Sequence, residues 1–196
     1  MTPQLSSPNS FRKHWPLYAT AGVFLLMIII LVLLGRRPFS ESGRFLLWIG
    51  DHNSAETSQQ CFDPYSITHA LHGMILYGFF VLVSRRKWSL PLIFFITLCI
   101  EAAWEVAENS PFVINRYRNA TMALGYTGDT MLNSVCDMIS CALGCLLAWR
   151  LKWWLSIALA IGSEILLALI IRDNLTLNVI MLLFPIDAIK QWQLGG

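Results

Sequence analysis

The chain has 196 residues, of which 56% are apolar and only 13% charged, with a positive mean hydropathy of +0.56. Its charges gather in short segments between long uncharged runs, which argues against an ordinary soluble domain and for a polytopic membrane protein. A formal net charge of +2, with no long basic run interleaved with aromatics, argues against nucleic acid as a partner.

Residues 1–15 read as a disordered cytoplasmic tail, rich in Ser and Pro and ending in Arg12-Lys13-His14. From Pro16 to Leu34 there is no charge, enough at about 1.5 Å per residue to cross a hydrocarbon layer of roughly 30 Å. A basic tail before an apolar run also suits a signal peptide, but this run is too long and lacks a small-x-small cleavage pattern, so an uncleaved first span is expected. Arg36 to Pro64 is a polar connection with an interfacial patch at Phe45 to Ile49. A second span is expected over Tyr65 to Ser84, a third over Trp88 to Glu108 with Ser110-Pro111 as breaker, a fourth over Asp129 to Trp149 and a fifth over Trp153 to Ile171. Leu175 to Ile189 is apolar but short and interrupted by Asn178 and Pro185, which suits either a short sixth span or a re-entrant helix. The expected fold is thus all-α, a polytopic transmembrane helix bundle forming one domain over residues 16–196.

Basic residues are nearly balanced between the two sides of the spans. The compact clusters Arg12-Lys13, Arg85-Arg86-Lys87 and Arg150 with Lys152 fall on one side, which favours a cytoplasmic N-terminus in a bacterial inner membrane. With that orientation, the polar residues inside the spans all fall in the extracytoplasmic half.

They centre on Glu101, Glu105 and Glu108, which share one helical stripe at the end of the third span. Carboxylates stacked on a membrane helix repel one another and resist leaving water, so partners are expected. Hairpin alignment predicts a shallow tier of His69, Glu105 and Asn133, rimmed by Glu108 and Asp129, and a deeper tier of His72, Glu101, Asp137 and, if it points inward, Glu164. Each has a plainer reading: a lone intramembrane His is usually a helix-helix donor, Glu108 suits a solvated helix end, and Asp129 suits an N-cap. The i, i+3 spacing of His69 and His72 lets both rings face one site.

As a chemical site, His69, His72, Glu101 and Glu105 form a candidate ligand set for zinc, iron or manganese. His72, Glu101, Glu105 and Asp137 are the candidate acid and base residues. Arg116, Arg118 and Asn133 are the candidates to hold an anionic or lipid-linked substrate, although arginines at a membrane surface equally serve as salt-bridge partners. Asp63, Tyr65, Ser66 and Thr68 precede the histidines and suit a supporting shell. Of the five cysteines, Cys99, Cys136, Cys141 and Cys145 lie in apolar runs, and Cys61 in a polar loop is given no role; no disulfide framework or C-x-x-C zinc pattern is present.

The strings D-P-Y-S-I-T-H-A-L-H-G from Asp63, E-A-A-W-E-V-A-E-N-S-P-F-V-I-N-R-Y-R from Glu101, G-D-T-M-L-N-S-V-C-D from Gly128 and I-R-D-N-L-T-L-N from Ile171 resemble a family of proteobacterial multi-pass inner-membrane proteins of unknown function. That resemblance implies a bacterial membrane protein and carries no activity. The order Asp63, His69, Glu101, Arg116, Asp129, Asn133 also resembles that of the VanZ-like membrane proteins, from which this chain departs by a second His and extra glutamates. Three functional classes remain open on the sequence. They are an enzyme acting on a lipid or lipid-linked substrate, a scaffold whose polar network is structural, and a transporter, against which the dry cytoplasmic halves of the spans argue.

Overall fold

The structure, a computed structural model, describes residues 8–123 and 125–195, with side chains from Trp15 onward. The described residues fold into eight helices: α1 (Pro8–Leu33), α2 (Ser66–Val83), α3 (Leu90–Glu108), α4 (Pro111–Ala120), α5 (Met131–Arg150), α6 (Trp153–Ile171), α7 (Leu175–Leu183) and α8 (Asp187–Gln193). Five of them, α1, α2, α3, α5 and α6, are long and apolar enough to cross a membrane, at nearly the expected positions. Residues 1–7 of the expected tail lie outside the described residues, and α1 is already helical from Pro8. Pro16, expected to open the span, instead falls inside this helix, where the Thr20 hydroxyl donates to its carbonyl at 2.8 Å.

Two local features differ from the sequence reading, and a third narrows it. The segment between the third and fourth spans is a helix, α4, because Ser110 accepts from the Val113 N–H and Pro111 occupies the first helical position, where its missing N–H costs nothing. Thr130, rather than Asp129, caps α5 by accepting from the Asn133 N–H. The last apolar segment is broken at Pro185 into α7 and α8. At nine residues, or roughly 14 Å, α7 is too short to span.

Lipid tails are as apolar as leucine, so close packing and polar links must hold such helices together. Here α1 lies along α3, and α2 along α5, with α3 also touching both α2 and α5. The α2–α5 crossing is made by Gly73 and Gly144. A Cβ on Gly73 would collide with the Cys141 carbonyl oxygen, and one on Gly144 with the Ala70 carbonyl oxygen. Met27, Leu31, Leu98, Ala102, Met138 and Cys141 fill the space between α1, α3 and α5. This tight arrangement brings the polar ends of α2, α3 and α5 to one level.

The long connection from 34 to 65 folds back over that level. Within it Trp48 pairs with Phe62, and the Ile49 N–H donates to the Phe62 carbonyl at 2.9 Å. Phe45, Leu47 and Trp48 are exposed, as expected of an interfacial patch.

Candidate functional site

Glu101, about two turns from the end of α3, is only 1% exposed and accepts two hydrogen bonds from α2. Nδ1 of His69 lies 2.6 Å from Oε1 and Nδ1 of His72 lies 2.9 Å from Oε2. With each Nδ1–H given to this carboxylate, Nε2 remains the basic nitrogen of both rings. The rings meet edge-on with centroids 5.2 Å apart, and His72 packs against the edge of Trp104.

Glu105 is one turn further along and fully buried. Its Oε1 is 3.3 Å from Nδ1 of His69, but that N–H points to Glu101, and neither Glu105 oxygen has a hydrogen-bond partner among the described residues. A buried, unpaired carboxylate is costly and therefore informative. Donor atoms of His69, His72 and Glu101 lie within 4.8 Å of one another, as do those of His69, Glu105 and Glu108, so two overlapping groups could each hold a metal ion.

On α5, Asp137 accepts from the Ser66 hydroxyl at 2.7 Å and approaches Nε2 of His69 at 3.9 Å. The expected tiers are therefore merged: both histidines meet Glu101, and Asp137 faces His69 rather than His72. Asn133 lines the same cavity, but its amide donates to the Gln60 carbonyl at 3.1 Å. Glu164 lies away from this cluster. Its two oxygens accept from the N–H groups of Leu175 and Thr176, so it caps the start of α7.

Arg116 and Arg118 are also placed elsewhere. Arg116 donates to the Leu182 carbonyl at 2.7 Å and to that of Leu183, complementing the negative end of α7, and Arg118 donates to the Tyr126 carbonyl. Neither lines the cavity. The proximity of these arginines in the chain to the acidic helix gave no warning that the end of α7 would claim Arg116 and the loop carbonyl of Tyr126 would claim Arg118.

The cavity measures about 830 Å³. His69, His72, Glu101, Glu108, Asp129 and Asp137 form its polar end, and Ile75, Leu76, Ile100, Trp104, Leu175 and Val179 its apolar wall. Residues 52–55 and 57–59 of the long connection, together with 121–123 and 125–127, also line it. No Lys or Arg is present among its described lining residues.

Asn109 was missed as a site residue, although it sits within the sequence motif. It receives the Asp129 N–H at 2.7 Å and donates to the Asp129 carboxylate at 2.8 Å, tying α3 to the start of α5. Burial pushes the Asp129 carboxyl up, against the Tyr126 hydroxyl and Asn109 amide, which favour its charge. Burial likewise lifts Asp173 to about 6, although Asn174, Tyr65, Asn178 and Gln193 all offer it hydrogen bonds. Asp63 is raised by burial too, opposed by the N–H groups of Ser58 and Tyr65. Tyr117 and Tyr126 are held far above their ordinary value by burial and then by neighbouring carboxylates, so both remain neutral donors.

Residues 31–195 match the family described as "Protein of unknown function (DUF2585)". The chain is 47% identical over 187 residues to the UPF0314 protein of Sphingopyxis alaskensis, covering 94% of this chain and 97% of that one. It is 46% identical over 191 residues to the UPF0314 protein of Agrobacterium fabrum, covering 97% and 95%. With the UPF0314 protein of Paracoccus denitrificans it shares 42% over 185 residues, covering 93% and 94%. These matches support the family of unknown function rather than the VanZ-like group. No solved structure matches the chain.

Proposed function

Because the chain belongs to DUF2585, whose description carries no activity, its chemistry has to be read from the cavity. We propose that this is a bacterial inner-membrane protein with a cytoplasmic N-terminus whose cavity, in the extracytoplasmic half, binds a divalent metal and acts on a lipid or lipid-linked substrate from the outer leaflet. The observation that carries the reading is Glu105. It is fully buried, neither of its oxygens has a hydrogen-bond partner among the described residues, and its donor atoms converge within 4.8 Å with those of His69 and Glu108, a group that overlaps at His69 with that of His69, His72 and Glu101. A cation there would relieve an uncompensated carboxylate, and the nitrogen and oxygen donor set suits zinc, iron or manganese.

Such an ion would supply Lewis acidity and a water acidified toward neutrality. The protein's own share is positional. His72 is the more open of the two rings, with 20% of its side chain exposed, and Glu101 fixes its orientation. Asp137, held by Ser66, stands beside His69 as the carboxylate available to take up or return a proton. The apolar wall of Ile75, Leu76, Ile100 and Val179 suits an acyl or prenyl chain. An anionic headgroup would meet carboxylates and, among the described lining residues, no Lys or Arg, so in this reading its charge is met by the metal.

Metal content of detergent-purified protein tests the proposal after loading with zinc, iron or manganese. Wild type is expected to retain about one equivalent, and His72→Ala and Glu101→Gln to lose most of it. Equal, negligible metal in all three would sink the metal reading.

A second reading has its own support, because the short bonds from His69 and His72 to Glu101 close a polar link between α2 and α3 without any ion. Under a purely structural role, His72→Ala lowers the amount of folded protein in membranes. Under the metal role, metal is lost while the folded amount is largely kept.

A further inference from the structure

Away from the histidines, the fold joins two thiols from distant parts of the chain. Cys61 lies near the end of the long connection after α1, and Cys136 lies in the second turn of α5. Their Sγ atoms are 2.6 Å apart, and both residues are buried.

The contact is built from both sides. The Cys61 N–H donates to the Leu46 carbonyl and the Phe62 N–H to that of Leu47, which holds the returning arm of the connection against its outgoing arm. The preceding residues dock on α5: the Gln59 carbonyl accepts from the Thr130 hydroxyl at 3.1 Å, and the Gln60 carbonyl from the Asn133 amide at 3.1 Å. Two thiols so held lie within direct reach of each other.

We propose that Cys61 and Cys136 form a disulfide in the mature protein. The inference rests on the orientation proposed above, which puts both residues on the oxidising side of the membrane, and not on the metal reading. The oxidant is a disulfide-bearing thiol oxidoreductase of that compartment. One S–S bond forms between Cys61 and Cys136, each thiol gives up its proton and one electron, and the oxidoreductase disulfide is reduced to two thiols.

The bond staples the connection that lines the cavity to the helix that carries Asn133 and Asp137. It spans 75 positions of sequence, a long loop whose closure restricts the unfolded chain strongly. Cys99, Cys141 and Cys145 stay reduced. Cys141 and Cys145 lie deeper on α5, where they pack against Gly73 of α2.

The test is a mass-tagging measurement on membranes quenched with acid and denatured, using a maleimide polymer with and without prior reduction. The wild-type chain, with five cysteines, is expected to take three tags before reduction and five after it. Cys61→Ser is expected to take four in both conditions, and a linked pair of peptides should be found in the unreduced wild-type digest. Five tags on unreduced wild type would overturn the proposal, and that arm stands even if the serine variant fails to accumulate.

A parallel arm separates this failure from failure of the orientation. Glu41→Cys, in the exposed connection, should react with a membrane-impermeant maleimide in intact spheroplasts. Labelling together with a reduced pair removes the disulfide alone; no labelling removes the orientation and the disulfide with it.

Discussion

At the residue scale, the site depends on who reaches each carboxylate first. Glu101 is taken by two imidazoles and Asp137 by Ser66, while Glu105 is left with no hydrogen-bond partner among the described residues. Asp173, after the end of α6, shows the cost of burial in a group with good partners. Gln193 donates to its Oδ1 at 2.9 Å, as does the Asn174 N–H, yet its value rises from 3.8 to about 6. The folded state therefore binds this proton more tightly than the unfolded chain does. The stabilisation is complete below the unfolded value and is lost as pH rises through about 6. In detergent, wild type is expected to lose thermal stability between roughly pH 4 and 7, and Asp173→Asn, which keeps an acceptor but no charge, should lose up to about 3 kcal/mol less. Superimposable pH profiles for the two proteins would show that Asp173 does not titrate as described.

At the element scale, the α2–α5 contact sets the level at which His69, His72 and Asp137 meet. Gly73 and Gly144 are the positions where backbone, not a flexible side chain, would receive an added Cβ. Gly73→Ala and Gly144→Ala are expected to destabilise the bundle by about 1–3 kcal/mol or more, because the helices must separate or shift. Gly78 on α2 and Gly162 on α6 face open space, so alanine there should be neutral or slightly stabilising through helix propensity. Thermal unfolding of the four variants in detergent checks the contrast, and equal effects at all four would deny the close crossing its role. The same scale explains the arginines. Arg116 finds unpaired carbonyls at the end of α7, which exist only because Pro185 stops that helix.

At the scale of the whole molecule, five helices suited to spanning and two short C-terminal helices lead to the expectation of an odd number of crossings. The termini should then lie on opposite sides of the membrane. With a cytoplasmic N-terminus, a C-terminal alkaline phosphatase fusion is expected to be active and a C-terminal green fluorescent protein fusion dark. The reverse pattern would show either that α7 and α8 cross together or that the orientation is inverted. An N-terminal tag assayed for protease access in spheroplasts decides between those two. Helix α6 is the least embedded of the five, with most of its large apolar side chains exposed, as suits a helix facing lipid on nearly all sides.

What the amino-acid order determined by itself was whatever depends on local periodicity and length. The spans were legible from their uncharged runs, and the meeting of His69, His72, Glu101 and Asp137 from their common depth, since hydrocarbon forces polar side chains to seek one another. The helical α4 and the broken C-terminal segment depended on capping and on Pro185, signals that were present but ambiguous. Partner choice belonged to the tertiary structure alone. Glu164 caps α7, Arg116 closes it, Asp137 faces His69, and Cys61 meets Cys136, because each pairing depends on how separate elements are placed against one another in space, which for α2 and α5 the backbone contacts at Gly73 and Gly144 set.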